Sequence, residues 1–310
     1  MYTDILNIPS KLPVRQEGTG ISSGTFGEML QGVLTNGKPF LVTLPINRFS
    51  KAIFKPSLSK ESIEVIPEFK VKAKCLCEMI LRDNNLPLGG TLEIVSTIPV
   101  GKGLASSSAD LVAVSRAIEL AYDLTLDINK LEQYLASIEP TDGVMYSSIV
   151  SYYHREAKLK DYIGNVPALT IISHDEGGEI NTIDFNRRYY NYEIDVKQEY
   201  ELLLKKLITA INNNDYKGIG EITTRSAILH QNVSPKRTLN QMIDINNEIN
   251  GLGVVVAHSG TYIGILISQH DEEYYKKLGM AKQLISKLSD DVHVMHTINQ
   301  GEKSYGKQFN

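Results

Sequence analysis

Pro99-Val100-Gly101-Lys102-Gly103-Leu104-Ala105-Ser106-Ser107-Ser108-Ala109-Asp110 lies between a mostly alternating apolar run, TLEIVSTIP (91–99), and a long helical pattern over 105–124. Leu92, Ile94 and Ile98 mark one face of the run, and Leu111, Val114, Ile118 and Ala121 one side of the helix. A turn that leaves a strand and opens a helix presents backbone N–H groups without partners, and the helix dipole adds partial positive charge there. Gly101 and Gly103 let the main chain approach a phosphate closely. Lys102 adds a mobile positive charge, and a hydroxyl of Ser106, Ser107 or Ser108 can ligate Mg²⁺. The stretch is neither of the two commonest phosphate loops. Lys102 precedes Gly103 where a Walker loop needs Gly-Lys-Ser/Thr, and G-x-G-x-x-G meets Ser106 where its third glycine belongs. A helix start capped by serines is the plain alternative.

The surrounding pattern predicts alternating short strands and helices. Strands are expected at 39–46, 51–56 and 62–67, then a helix at 69–83 with Val71, Cys75, Met79 and Ile80 on one face. A turn at Gly89-Gly90 leads into the run at 91–99. Asp127 is a good N-cap for a helix at 127–138, and 146–155 reads as a short helix. In the second half a strand at 167–173 and a turn at Gly177-Gly178 precede helices at 195–213, 215–230 and 236–250, the last opened by Pro235-Lys236. Strands at 253–260 and 261–268, a helix at 271–288 and a strand at 291–298 close the chain. This order points to an α/β or α+β protein whose second half is an α+β sandwich. The chain has 310 residues, and a single core seldom grows past roughly 250–300. We therefore expect two domains, 1–165 and 166–310.

Composition excludes other classes. With 42% hydrophobic and 22% charged residues the chain is neither disordered nor fibrous. Its net charge of −4, from 32 basic and 36 acidic residues, argues against nucleic acid and anionic membrane as partners. No apolar run approaches the ~20 residues of a membrane helix, and MYTDILNIPSKLPVRQEG has no apolar signal core, so a cytoplasmic protein is expected. Cys75 and Cys77 point about 200° apart on a helix and cannot chelate one metal. Lys70, Lys72 and Lys74 read as a solvated face. Tyr189, Tyr190 and Tyr192, after Arg187 and Arg188, read as a domain edge or dimer contact.

Two further segments bear on function. GTGISSGTFGEMLQG (18–32) is rich in glycine and hydroxyl residues, and GVVVAHSGTYIG (253–264) is a buried strand, a Ser-Gly turn and a second strand. Alone, the first is a flexible loop before a hairpin and the second an ordinary hairpin. In order, the three segments resemble the motifs of the GHMP kinase superfamily, which includes galactokinase and the homoserine, mevalonate and phosphomevalonate kinases. Pro99-x3-Gly103-Leu104-x-Ser106-Ser107-Ser108-Ala109 fits the family's P-x3-G-L-x-S-S-[AS]-A loop. Gly24-Thr25-Phe26-Gly27-Glu28-Met29-Leu30-Gln31-Gly32, Glu139-Pro140-Thr141-Asp142 and Ala257-His258-Ser259-Gly260-Thr261 are similar to segments of the L-threonine kinases of cobalamin biosynthesis. The sequence departs from that pattern at Gly143, where a serine is expected, and in a longer segment before the first motif.

The resemblance implies a two-domain GHMP kinase-like fold, an N-terminal α/β nucleotide-binding domain and a C-terminal ferredoxin-like α/β sandwich. It implies ATP and Mg²⁺ as cofactors. Pro99, Gly101, Lys102, Gly103, Leu104, Ala105, Ser106, Ser107 and Ser108 would hold the nucleotide, with Ser107 and Glu139 as metal ligands. Asp142 would be the general base, or would orient the hydroxyl for in-line attack. By residue type alone, Glu139 and Asp142 are equally well helix N-terminal acids. Glu28, Gln31, Thr141, Ser259, Gly260 and Thr261 would line the substrate site, and His258 reads as structural. The activity implied is ATP-dependent phosphorylation of the side-chain hydroxyl of a free amino acid, L-threonine foremost, for the aminopropanol arm of cobalamin. Homoserine or serine as acceptor, or a non-catalytic nucleotide-binding protein, are the alternatives. A free amino acid needs both charged ends met, and Arg15, Arg48 and Arg225 are available for its carboxylate. Monomer and homodimer are both compatible.

Overall fold

The computed structural model describes residues 17–178 and 192–299. Arg15, Arg187, Arg188, Tyr189 and Tyr190 lie outside them. Strand β1 (Gly18–Val33) and strand β2 (Pro39–Pro56) form a long antiparallel hairpin. Its turn closes through Gly37 at φ +81°, a conformation that favours glycine. The glycine-rich segment 18–32 is thus a strand. Gly18 and Gly20 let a helix press on it: a Cβ at Gly20 would sit 2.0 Å from the Ala113 carbonyl. The register shifts between Ser23 and Leu30, and such bulges re-aim side chains locally.

The other strands extend this hairpin: β3 (Ile63–Ile66), β4 (Gly90–Ser96), β5 (Ile149–Tyr153), β6 (Lys158–Gly164), β7 (Leu169–Asp175), β8 (Gly253–Val256), β9 (Tyr262–Ser268) and β10 (Val292–His296). They form one sheet in the order β10-β7-β9-β8-β1-β2-β4-β3, with β5 pairing β2 and β6. Helices α1 (Val71–Asp83), α2 (Ser106–Tyr122) and α3 (Ile128–Ile138) belong to the first half. Helices α4 (Ile194–Asn212), α5 (Tyr216–His230), α6 (Leu239–Glu248) and α7 (Tyr274–Ile285) belong to the second. The mixed α/β content is that expected. The expected division at 165/166 falls in the loop between β6 and β7. One core cluster joins Phe26, Leu30 and Leu44 of the first half to Tyr200, Tyr262 and Leu266 of the second.

Several local expectations change. Residues 146–155 contain a strand, not a helix, because Ile149, Val150 and Tyr152 suit a pleated surface, and Tyr152 and Ser151 pair with Leu41 and Val42. β6 follows it unannounced by any clear alternation. The strands expected at 39–46 and 51–56 are one strand. On α1 the buried stripe is Ala73, Leu76, Cys77, Ile80 and Leu81, whereas Val71 and Cys75 are exposed. α6 starts at Leu239, not beside Pro235. Asp127 caps α3 as expected, accepting from the amides of Asn129 and Lys130 at 2.8 and 3.2 Å. Among the described residues no helix is long and apolar enough to cross a membrane.

Candidate active site

β4 ends at Ser96, and the chain then turns through Gly101 at φ +72°, Gly103 at φ +76° and Ala105 at φ +59° before α2 begins at Ser106. Ala105 offers no side-chain cap, so the first-turn amides of α2 are left for another acceptor. The three glycine-containing segments meet here. The Thr25 amide donates to the Leu104 carbonyl at 3.3 Å, and the Thr261 amide donates to the Lys102 carbonyl at 3.3 Å. A Cβ on Gly260 would sit 1.9 Å from that same carbonyl, so close approach requires glycine there. Lys102 Nζ is paired with Asp175 at 2.6 Å and donates to the Gly178 carbonyl at 2.6 Å. Burial alone would raise the Asp175 carboxyl, but hydrogen bonds from Lys102, Thr261 and Gly177 outweigh it and hold it below its ordinary value.

A cleft of about 290 Å³ opens over this turn. Gly101, Gly103 and Ala105–Ser108 line it beside Glu139–Asp142, with His154, His258 and Ser259 completing the wall. Glu139 is the residue that ends α3, in extended conformation, so it is not a helix N-terminal acid. A carboxylate at the negative end of a helix is disfavoured by the dipole. It is held instead by Ser107 Oγ, which donates to one oxygen, and by Lys72 Nζ, which donates to the other. Asp142 sits in the loop after it. Its amide donates to Ser108 Oγ at 3.1 Å, and Thr141 Oγ1 donates to the same hydroxyl at 2.8 Å. Burial, and then the charge of Glu139, push the Asp142 carboxyl up to about 7.

Behind the wall lies a polar layer. Gln31 Oε1 accepts from His258 Nδ1–H, and the His258 ring stands edge-on to His154 at 4.9 Å and stacks on His230 at 5.6 Å. Burial pushes His154 and His230 down to about 3 and His258 well below its ordinary value, so all three are neutral at pH 7. Glu28 is buried here too, its carboxyl raised by desolvation and then by Asp142.

Residues 71–150 match the family described as GHMP kinases N terminal domain. The L-threonine kinase of Citrobacter freundii is 26% identical over 266 residues, 83% of this chain and 90% of that protein. The L-threonine kinase of Salmonella typhimurium is 25% identical over 289 residues, 89% of this chain and 92% of that one. The crystal structure of homoserine kinase from Cytophaga hutchinsonii superposes with a TM-score of 0.72 at 15% identity, covering 95% of this chain and 98% of its own. The chain is thus similar to GHMP kinases, over residues 71–150 through their N-terminal domain and over most of its length through curated L-threonine kinases. That similarity supports a phosphotransferase activity.

The expected site residues do not all reach the cleft. Gly101, Gly103, Ala105, Ser106, Ser107, Ser108, Glu139, Thr141, Asp142 and Ser259 line the cleft. Leu104 is core, while Lys102, Gly260 and Thr261 join the loop to the second half. Glu28 and Gln31 lie in the layer behind. Pro99 precedes the lined part of the turn. Arg225 is paired with Glu199 at 2.6 Å, and Arg48 donates to the Asn47 carbonyl at 3.3 Å, so both are engaged elsewhere. The structure also brings in residues that the sequence reading passed over. Lys70 and Lys72 are not a solvated face: Lys70 pairs with buried Asp110 at 2.5 Å and Lys72 with Glu139. Phe69, Val71 and Val100, at 68%, 63% and 57% exposure, form an apolar rim on the cleft. Phe69 and Val71 stand outside every motif of the sequence, and only the fold brings them beside Val100.

Proposed function

We propose that this protein transfers the γ-phosphoryl group of ATP to the side-chain hydroxyl of a free amino acid, L-threonine foremost, giving O-phospho-L-threonine and ADP. The observation that carries the reading is the juxtaposition in one cleft of an uncapped helix start and the acids Glu139 and Asp142. Phosphoryl transfer asks for positioning and charge neutralisation more than for covalent chemistry by the protein.

The residues fit the two groups implied. The amides of Ser106–Ser108 and the turn at Gly101–Gly103 suit a polyphosphate, and the apolar rim of Phe69, Val71 and Val100 suits a flat base. Ser107 and Glu139 give two oxygen ligands, suited to Mg²⁺, which keeps several waters and takes phosphate oxygens as well. Among the described residues no cluster of three or more His, Cys, Asp or Glu side chains could hold a metal alone, consistent with a cation that arrives with the nucleotide. Bound there, Mg²⁺ would neutralise charge on the phosphates.

Asp142 acts on the acceptor. Its ionised carboxylate takes the hydroxyl proton as the hydroxyl oxygen bonds to phosphorus and the bond to the ADP oxygen breaks. Thr141 and Ser108 hold the Asp142 backbone, and His154 and His258, both neutral, close the wall without adding charge. The choice of an amino acid is supported by the L-threonine kinase relatives and by the polar layer behind the wall. The cytoplasm, where L-threonine and ATP are both present, is the proposed location, and the aminopropanol arm of cobalamin the proposed destination of the product.

Mg²⁺-dependent ATP consumption with L-threonine, L-serine, L-homoserine, galactose and mevalonate tests the proposal. L-Threonine should give the highest kcat/KM. A clear preference for another acceptor would move the assignment to that compound. Nucleotide binding without turnover of any acceptor would replace it with a binding role.

A further inference from the structure

Lys236 is 4% exposed, and among the described residues no carboxylate lies within ion-pair distance of its ammonium. It donates to Ser234 twice, to the hydroxyl at 3.0 Å and to the carbonyl at 3.4 Å. Lys277, buried to a similar degree at 7%, shows the contrast, since it pairs with Asp271 at 2.7 Å and also donates to the Asn250 carbonyl at 2.9 Å. A buried ammonium is costly unless an anion meets it.

The loop carrying Lys236 is built to hold it in place. Gln231 clamps its backbone from both sides, accepting from the Lys236 amide at 2.5 Å and donating to its carbonyl at 3.0 Å. The Ser234 amide donates to the His230 carbonyl at 2.9 Å, and the His230 ring stacks on His258, which lines the cleft.

Across from Lys236, on β1, are two side chains with unused capacity. Glu28 is 2% exposed and its Oε2 has no hydrogen-bond partner, while Gln31 is fully buried and its Nε2 has none. Lys236 feels the charge of Glu176 most and that of Glu28 next, and Glu28 also feels Asp142. A buried ammonium and a buried carboxyl therefore share one region without being paired, and burial pushes both toward their neutral forms. Each has bonding capacity to spare, and the acid that faces the acceptor hydroxyl is beside them. A ligand that satisfies this arrangement carries an anion and a cation together, with a hydroxyl near the cation. That is the description of a zwitterionic hydroxyl amino acid.

We infer that Lys236 binds the α-carboxylate of the acceptor, with Gln31 Nε2 donating beside it and Glu28 receiving the ammonium, so that Lys236 selects amino acids over alcohols lacking a carboxylate. The inference rests on the proposed function and adds the residue that sets its substrate class. The arginines available in the sequence are not needed for this task.

Calorimetric titration of the full chain with L-threonine and with 1-amino-2-propanol, which is threonine without its carboxylate, tests it. K236M should weaken L-threonine binding about 100-fold and leave the amino alcohol within about threefold, so that discrimination between the two collapses. K236R should recover most of the threonine affinity, and the KM for ATP should stay at the parent value in both variants. Thermal melting checks the fold, and K236Q serves in place of K236M if that variant melts early. Equal losses for both ligands, or parent-like threonine binding by K236M, would overturn the role of Lys236 while leaving the kinase assignment standing. Failure of the parent protein to bind any hydroxyl amino acid would overturn it too. ATP turnover with a different alcohol would then show that phosphotransfer survives and only the amino-acid acceptor is lost.

Discussion

Asp142 is buried where charge is disfavoured, and a pH dependence follows from that. Its carboxyl is raised to about 7, so the carboxylate that we propose as proton acceptor is half formed near neutrality. The rate should climb with pH through about 7 and then level off, and D142N should lower kcat by about 10²- to 10⁴-fold and remove that limb. A pH–rate profile of both proteins checks this, and an unchanged profile in D142N would exclude proton transfer to Asp142. The same shift has a stability consequence of opposite sense. A carboxyl raised in the folded state stabilises the protonated protein, and that contribution disappears as pH rises through about 7. D142N should therefore be more stable than the parent at pH 8, by about 1–3 kcal/mol, and lose this advantage toward pH 4, as urea titrations would show. The spacing of Glu139 and Asp142 was legible in the chain. That Glu139 closes a helix rather than opening one was not, because a Pro directly after an acid fits either end. Lys72 and Lys236 were invisible for a simpler reason: a lysine in a polar run gives no sign of what the fold will bury it against.

The turn from β4 into α2 depends on two glycines in different segments, and each contact is a backbone contact. Gly260 has no room for a Cβ beside the Lys102 carbonyl. G260A should force the turn away from β8 and β9, cost about 1–3 kcal/mol, and weaken nucleotide binding at least tenfold; circular dichroism melts and nucleotide titration would read the two effects. α2 itself was plain in the sequence, since Leu111, Val114, Ile118 and Ala121 repeat at helical spacing and all prove fully buried. It also hides a charge on its sheet-facing side. Asp110 accepts from Ser50 Oγ at 2.5 Å and from Lys70 at 2.5 Å. K70M would leave that buried carboxylate without a counter-ion and should cost about 3–5 kcal/mol, measured by urea unfolding. β5 was misread because Ile149–Tyr153 is a short, mostly apolar run, and periodicity cannot tell a short buried strand from a helix turn. Its partner β2 lies about a hundred residues upstream, and pairing that distant leaves no local mark. β6 was missed because Lys158–Gly164 shows no clear alternation.

The two halves are joined at the reaction site as well as through the core. The sheet passes from β1 to β8 by the single pair Glu28–Val256, and the loop of the first half is tied to β7 of the second by Lys102 and Asp175. The sequence order, strand–helix then strand–helix–strand, correctly indicated mixed α/β architecture, but the pattern of alternation could not reveal that one hydrophobic cluster would draw on both halves. In the structure Lys102 is a strut, with side chains of the pair only 19% and 12% exposed, so solvent screens the attraction weakly. If the strut is what holds the phosphate turn against the second half, D175N and K102M should each lower stability by about 1–3 kcal/mol. The double variant should lose little more than either alone, since both remove the same interaction. The carboxyl of Asp175 is held below its ordinary value, so this contribution is present at neutral pH and is lost as pH falls through that lowered value. The coupling measured by the four-protein cycle at pH 7 should accordingly fade in acid. Amide exchange over 99–105 should quicken in each single variant at pH 7, and additive losses with no change in exchange would show that Lys102 serves the nucleotide alone.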